Sequence, residues 1–147
     1  MARRRVRCPA SSCAAAPEVA DIERFAPPRD GRPFPPLSVA VRHDRTLYVS
    51  GIGPFAPDGN LAVGDFAAQF AEVMRSLHAI LAAAGTDIAH VVKTNVLLTR
   101  AGDVREMNRL YAAAFPPEHL PARTTCVVAA LPVPEFLLEI ECVVALG

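Results

Sequence analysis

Two apolar stripes at helical spacing, joined by a β-branched run, limit most strongly what this chain can fold into. The first stripe starts after Asp65, a residue type that caps helices, and Gly85 ends it. Its apolar positions are Phe66, Phe70, Val73, Leu77, Ile80, Leu81 and Ala84. The opposite side is predicted to carry the polar residues Gln69, Glu72, Arg75 and Ser76.

The second stripe begins near Asp103, where Asp103 and Glu106 have the spacing of a capping box, and Pro116 stops it. Its predicted buried positions are Val104, Met107, Tyr111 and Phe115. A helix with one apolar face needs another element to cover that face, so both helices require a partner layer.

Short β-like runs supply that layer. A polar break at His43 and Asp44 predicts a hairpin turn between the first two runs. The predicted strands are residues 37–41, 45–50, 91–99, 124–130 and 136–146. The core face of the third strand is predicted to hold Val92, Val96 and Leu98. The order β-β-α-β-α-β-β predicts an α+β two-layer sandwich, with both helices on one face of a mixed sheet.

Composition bounds the class of protein. The chain has 147 residues, is 52% hydrophobic and has a mean hydropathy of +0.26, which suits one globular domain. Residues 1–36, rich in proline, arginine and alanine, are predicted to be a disordered tail and a loop leading into the domain of residues 37–147. The zero net charge argues against a whole-domain grip on nucleic acid or membrane, and we expect a soluble, cytoplasmic protein.

The cysteines and histidines give no local support for a metal or redox centre. The four histidines are scattered without a paired spacing, and Cys8 and Cys13 do not have the spacing of a zinc or redox pair. Cys126 and Cys142 lie in apolar runs and are predicted to be ordinary core residues with reduced thiols. We therefore expect no metal.

The last predicted strand has two unlike faces. Its apolar side is formed by Leu138, Ile140, Cys142 and Val144, and its other side by Leu137, Glu139, Glu141 and Val143. Since apolar residues alternate with acids on the side away from the helices, we expect a second subunit to cover part of that face.

One pair of charged residues is a candidate for chemistry. If the sequence LPVPE closes a hairpin between the last two strands, Arg123 comes close to Glu139 or Glu141 on one face of the sheet. An ordinary cross-strand ion pair and a catalytic pair both fit that spacing.

Several strings in the chain resemble one family. YVSGIGP at 48–54, AAGTDIAHVVKTNVLL at 83–98, MNRLYAAAF at 107–115, PARTT at 121–125 and LPVPEFLLEIE at 131–141 are similar to the Rid family, the YjgF-like reactive intermediate deaminases. The resemblance implies a chorismate-mutase-like fold and a homotrimer with a central barrel and three clefts between subunits. It also implies hydrolysis of enamines or imines to 2-oxo acids and ammonia, with no cofactor.

The resemblance assigns roles to individual residues. Arg123 matches the family arginine that binds the substrate carboxylate, and the planar guanidinium suits a two-point hydrogen bond. Glu139 matches the glutamate that positions the attacking water. Ser50 and Gly51 match the family's serine and glycine beside the substrate, and Asn108 an asparagine near the cleft wall. Tyr111 matches a family tyrosine there, for which core packing is the favoured role.

The chain departs from the family pattern at two positions. Leu37 stands where the family commonly has a tyrosine, so a phenol is lost, and Thr125 stands where several members have cysteine. Leu37 and Phe136 together predict an apolar wall and a substrate larger than 2-aminoacrylate.

Three other functions stay open. The same residues suit a diverged enzyme of a specialised pathway, which uses them for proton transfer, cyclisation or another hydrolysis. They also suit a non-catalytic trimer that binds a carboxylate metabolite through Arg123. RNA cleavage ranks last, because the chain has no basic stripe and no histidine pair.

Overall fold

A computed structural model describes residues 22–27 and 34–147 of the chain. Of the predicted tail and loop of residues 1–36, residues 1–21, with the arginine cluster and with Cys8 and Cys13, and residues 28–33 lie outside the described residues. Among the described residues, no helix combines the length and the apolar character that crossing a membrane requires.

Six strands and two helices make up the described fold. The strands are β1 (Ile22–Phe25), β2 (Ala40–His43), β3 (Thr46–Ile52), β4 (Val91–Leu98), β5 (Ala122–Val127) and β6 (Leu138–Ala145). The helices are α1 (Phe66–Ala83) and α2 (Val104–Ala114), and short 3-10 turns cover Ile88–His90, Ala101–Asp103 and Pro117–His119. The strands form one mixed sheet in the order β1-β2-β3-β6-β4-β5, which confirms the predicted α+β class.

The connection between the last two strands differs from the prediction. β5 pairs with β4 in parallel at the edge of the sheet, and β6 lies between β3 and β4, antiparallel to both. The LPVPE segment therefore joins two strands that do not touch, and the predicted hairpin is wrong. β6 satisfies both of its edges and buries Leu138, Ile140 and Val144 in this central position. An edge position beside β5 would leave one ladder of backbone groups unpaired.

β1 is a strand that the sequence analysis did not predict. It lies in the segment read as tail and loop, and it pairs antiparallel with β2, with Glu23 opposite Arg42. Its four residues are mostly exposed, because β1 adds an edge to the sheet and contributes little to the core. A short, charged edge strand carries almost no hydrophobic periodicity for sequence analysis to detect.

Helix α1 follows its prediction except on the polar side. Asp65 caps the helix by accepting a hydrogen bond from the Ala68 amide at 3.0 Å, and Gly85 follows it with a φ of 73°. Gln69, predicted to be on the solvent side, is fully buried. Its amide donates to the carbonyls of Ala62 and Glu135, and its oxygen accepts from the Leu137 amide. Gln69 thus fixes the segment that leads into β6.

Helix α2 buries three of its four predicted residues, with Val104 only partly buried, and it starts differently. Met107, Tyr111 and Phe115 are buried, as predicted. The capping box does not form, because the Asp103 carboxylate accepts a hydrogen bond from Arg100 Nε at 2.6 Å and makes no cap bond. Ion pairing thus replaces capping at this helix start.

The two faces of the sheet have different environments. One face packs on α1 and α2, and we call the other the open face. A register shift between Val91 and Lys93 leaves Val92 48% exposed, so its predicted core position is wrong. Thr94, Val96 and Leu98 lie on the helix side of β4, and all three are fully buried. In β6, the predicted inward residues Leu138, Ile140, Cys142 and Val144 are all buried.

Candidate functional site

Arg123 lies on the helix side of the edge strand β5. It is the register partner of Thr94 in β4, and its guanidinium reaches over α2. Nη2 donates a hydrogen bond to Asn108 Oδ1 at 2.7 Å, and Nη1 donates to Met107 Sδ at 3.6 Å. The Cζ atom lies 4.6 Å from the centroid of the Tyr111 ring, a cation–π distance. We call Arg123, Asn108, Tyr111 and Thr94 the arginine site.

The partners of Arg123 are all uncharged. Four other arginines in the described part of the chain pair with acids within 4 Å, and Arg123 does not. The pairs are Arg42–Glu23, Arg75–Glu72, Arg100–Asp103 and Arg109–Glu106. A guanidinium held by neutral groups keeps its charge and part of its N–H fork for an external anion.

An open cleft of about 380 Å³ lies at the arginine site. It is lined by Asn108, Tyr111, Ala112, Leu120, Pro121 and Arg123. The Tyr111 hydroxyl at its base is 2.7 Å from the Thr94 hydroxyl. Burial raises the pKa of the Tyr111 phenol, so this group stays neutral.

Thr125 also belongs to the helix side of β5, where its register partner is Val96. Its hydroxyl is buried and has no hydrogen-bond partner among the described residues. An unpaired buried hydroxyl destabilises a fold, so this atom is a candidate for an external partner.

Glu139 lies on the open face of β6, opposite Leu97. Its carboxylate lies over Gly51 so closely that a Cβ atom on Gly51 would collide with Oε1. Burial, and next the negative charge of Glu141, raise the pKa of the Glu139 carboxyl. Glu141 itself accepts a hydrogen bond from Asn95 Nδ2 at 2.5 Å, whereas Glu139 accepts none from the described residues.

Ser50 directly precedes Gly51 at an irregularity of β3, between Val49 and Ile52. Its hydroxyl donates a hydrogen bond to the Ser38 carbonyl at 2.8 Å, so its oxygen remains available as an acceptor. The same contact brings the segment that contains the exposed Leu37 to β3. We call Glu139, Gly51 and Ser50 the glutamate site.

Phe136 packs next to the glutamate site. Its ring lies over Gly53 so closely that no Cβ atom would fit there. Phe136 is 5% exposed and Phe55, which meets it edge-on at 5.0 Å between ring centroids, is 42% exposed. Phe55 therefore presents the apolar surface that the sequence analysis assigned to Phe136.

Arg123 and Glu139 do not meet within one chain, so the predicted cross-strand pair is wrong. They lie on opposite faces of the sheet, with β4 between their strands. Their partners on β4, Thr94 and Leu97, are three positions apart. Strand geometry then separates the two backbones by about 14 Å. The prediction requires a hairpin between β5 and β6. In the structure β4 lies between these two strands and keeps Arg123 and Glu139 apart.

Two further residues differ from the sequence analysis. Cys126 is exposed, since its register partner Leu97 belongs to the open face of β4, and its predicted core position is wrong. Thr94 was not noticed, although a threonine on the inward side of an apolar strand is a sequence signal for a buried hydrogen bond. Among the described residues, no group of three or more metal-ligating side chains occurs.

Comparison with known proteins adds the family. The family described as Endoribonuclease L-PSP matches residues 31–146. The human 2-iminobutanoate/2-iminopropanoate deaminase is 41% identical over 113 residues, which cover 76% of this chain and 81% of the human protein. The Reactive Intermediate Deaminase A of Arabidopsis thaliana chloroplasts is 35% identical over 112 residues, covering 76% of this chain and 59% of that protein.

A solved structure supports the same relationship. A Rid-family protein of unknown function from Yersinia pestis superposes with a TM-score of 0.78 at 31% identity. The match covers 86% of this chain and all of that protein.

Proposed function

Since the chain belongs to the Rid family, we propose that it hydrolyses imines and enamines of 2-amino acids to 2-oxo acids and ammonia. Arg123 binds the substrate carboxylate, and Glu139 activates the attacking water. The observation that carries the proposal is the Arg123 guanidinium, which is held by neutral groups at an open cleft and has no acid partner among the described residues.

The arginine site supplies binding and orientation. A carboxylate on two N–H groups of one guanidinium is held in one plane, which fixes the adjacent imine carbon. Asn108 keeps the guanidinium in place through its 2.7 Å hydrogen bond. The unpaired Thr125 hydroxyl, on the same side of β5, is a second group for the substrate.

The glutamate site supplies the proton transfers. Water attacks the imine carbon, and Glu139 takes one of its protons as the new C–O bond forms. The same carboxyl then returns that proton to the nitrogen, which gives a carbinolamine. Glu139 next takes the hydroxyl proton as the C=O bond forms and passes it to the nitrogen as the C–N bond breaks, so the products are a 2-oxo acid and ammonia. A raised pKa favours this double role, because it makes the carboxylate a stronger base for the proton of the attacking water. An enamine substrate first becomes the imine by protonation at carbon and then follows the same steps.

The two sites come from different subunits in this proposal. They lie on opposite faces of one sheet and about 14 Å apart, too far to contact one small substrate. A homotrimer with clefts between subunits, as the family resemblance implies, brings Arg123 of one protomer to Glu139 of the next. The open face, with its partly buried Glu139 and exposed Tyr48, then packs against the neighbouring copy.

The substrate side chain lies against an apolar surface. Gly51 and Gly53 leave room for the Glu139 carboxylate and for the Phe136 ring, and Phe55 covers that ring. With the exposed Leu37, these groups favour imines with apolar or aromatic side chains over 2-aminoacrylate. Ser50, as an acceptor next to Gly51, suits the nitrogen of the imine or of the leaving amine.

The test is ammonia and 2-oxo acid release from imines that an amino acid oxidase generates in situ. Wild type should accelerate release, whereas Arg123→Ala and Glu139→Gln should each reduce the acceleration by a factor of about 100 or more. Arg109→Ala is the matched control, because Arg109 lies on exposed α2 surface and pairs with Glu106. That control should behave as wild type.

Two results would redirect the proposal. If wild type binds 2-oxo acids but accelerates no imine, small or aromatic, the chain is a carboxylate-binding protein. If it neither binds nor accelerates, the residues serve a different reaction of a specialised enzyme.

A further inference from the structure

We propose that Tyr111, fixed in place by Thr94, is the positioning residue that holds the Arg123 guanidinium in its carboxylate-binding orientation. The inference rests on the proposed function, since it concerns how the same arginine meets the substrate carboxylate. In this proposal Tyr111 acts only through Arg123.

The Tyr111 ring supports the guanidinium at one face. Arg123 Cζ lies 4.6 Å from the ring centroid, and Nη2 and Nη1 donate to Asn108 Oδ1 and Met107 Sδ at the edge. All three contacts come from α2, so one helix determines the position of the whole group. Stacking uses the face of the guanidinium and leaves its remaining N–H groups for a ligand.

The ring in turn is held at its other end. The Tyr111 hydroxyl lies 2.7 Å from the hydroxyl of Thr94, which is fully buried in β4 and is the register partner of Arg123 in β5. Phe115 also stacks on Tyr111, with 4.3 Å between ring centroids. A ring fixed by a buried hydrogen bond and a stacked neighbour does not follow the movements of an exposed arginine. Tyr111 therefore restricts the rotamers that Arg123 can adopt.

An aromatic support suits this task better than an acid. A carboxylate in the same position would neutralise the guanidinium and compete with the substrate for its N–H groups. The face of an aromatic ring attracts a cation without occupying those donors. Burial raises the pKa of the Tyr111 phenol, so no phenolate forms an ion pair with Arg123. The site thus preorganises the cation and leaves it unpaired.

The experiment measures pyruvate binding by NMR titration, with methyl pyruvate as the probe that lacks a carboxylate. Wild type should bind pyruvate, and Arg123→Ala should abolish that binding. Tyr111→Leu, which removes the ring, should weaken pyruvate binding about tenfold, because the guanidinium loses its support. Phe70→Leu is the matched control, since it removes a buried ring from α1, whereas the described contacts of Arg123 come from α2. It should leave pyruvate affinity within about twofold of wild type.

A second pair of variants keeps the test valid if Tyr111→Leu fails to fold. Tyr111→Phe and Thr94→Val both remove the same hydrogen bond and keep the ring. Each should weaken pyruvate binding about two- to threefold, and the double variant should weaken it no further. In imine hydrolysis the effect should appear in KM more than in kcat, because carboxylate binding is the same before and during the reaction.

Equal pyruvate affinity in wild type and Tyr111→Leu, or in wild type and both hydrogen-bond variants, overturns the inference. So does an equal loss in Phe70→Leu, which would indicate general loosening of the core. Failure of wild type to bind pyruvate also overturns it. If the proposed hydrolysis fails while the pyruvate series behaves as expected, only the assigned reaction is wrong.

Discussion

The arginine site and the glutamate site place their charged groups in opposite environments. Arg123 is an exposed cation that neutral groups hold from one side, and it lies on the helix-covered face at the edge of the sheet. Glu139 is a half-buried acid on the open face near the centre of the sheet, beside a second acid, with no hydrogen bond from the described residues. Contacts with neutral groups hold the Arg123 guanidinium in one orientation. Burial and the charge of Glu141 raise the pKa of the Glu139 carboxyl.

The difference between the two sites limits where the proposed reaction can take place. A cation fixed on one face and a base on the other cannot act on one small molecule within a chain, because a sheet separates them. In the proposed trimer, the arginine site of one protomer acts together with the glutamate site of a neighbouring protomer. Glu139 is already partly buried within one protomer, and a neighbouring subunit on the open face would bury it further in the proposal.

The strongest test of this comparison is complementation between two inactive variants. Arg123→Ala keeps the glutamate site, and Glu139→Gln keeps the arginine site. If the sites pair between subunits, equal co-expression should restore about a quarter of wild-type activity, because that fraction of clefts combines two intact sites. Mixing the two variants only after each has been purified as a stable assembly is the control, and it should restore less. No recovery on co-expression would place both groups in one protomer.

A smaller effect is expected from filling the space under Glu139. Gly51→Ala adds a Cβ atom that collides with the carboxylate, so Glu139 must move. We expect imine hydrolysis to fall about tenfold or more, with pyruvate binding at the arginine site retained. Gly102→Ala is the control, because a Cβ atom there meets nothing within 4 Å. An unchanged rate in Gly51→Ala would mean that the position of this carboxylate does not matter.

Removing the neighbouring charge should move the pH profile. Glu141→Gln keeps an oxygen to accept the Asn95 hydrogen bond and removes the repulsion that helps to raise the pKa of Glu139. The acidic limb of the activity profile should therefore shift to lower pH. Glu118→Gln, in an exposed turn, should leave the profile unchanged. A shift to higher pH would contradict the assignment of that limb to Glu139.

The raised pKa of Glu139 also predicts the direction in which stability changes with pH. A carboxyl with a folded pKa above its unfolded value contributes stability at low pH, and this contribution is lost as the pH rises through the folded pKa. In Glu139→Gln the side chain at this position carries no charge at any pH. Its melting temperature should therefore exceed that of wild type at pH 7, and the difference should vanish in acid. A lower melting temperature at pH 7 would show that the charged carboxylate is stabilised in the fold.

The smallest effect concerns the unpaired hydroxyl of Thr125. Thr125→Val removes a buried group without a partner, so the free energy of unfolding should stay equal or rise by up to about 1 kcal/mol. Thr124→Val is the contrast, since the Thr124 hydroxyl accepts a hydrogen bond from Lys93 Nζ at 2.6 Å. A clear loss of stability in Thr125→Val, measured by denaturant unfolding, would reveal a partner for this hydroxyl within the protein.

The sequence predicted local elements better than their arrangement. Asp65 and Gly85 bound α1 because capping and a positive φ depend on a few adjacent residues. The alternation around Ile140 predicted the core face of β6 for the same reason. Gln69 was misplaced because its burial depends on the carbonyls of Ala62 and Glu135, which only the tertiary fold brings to it.

The candidate site was also predicted only in part from the sequence. Residue types and the family resemblance were enough to single out Arg123 and Glu139, because a cleft for a carboxylate needs a fixed cation and a hydrolysis needs a base. The support of Arg123 by Tyr111 and Thr94 was not predictable, since it joins residues from α2, β4 and β5. Phe55 was missed because its contact with Phe136 joins two loops far apart in sequence.

The sequence by itself determined the α+β class, the two helices, the inward face of β6 and the chemical identity of the candidate groups. These features depend on side-chain type and on periodicity within a single element. Only the tertiary structure decided that β6 lies between β3 and β4, and hence that Arg123 and Glu139 are on opposite faces. Strand order is decided by which edges and faces are buried together, and that is a property of the whole sheet.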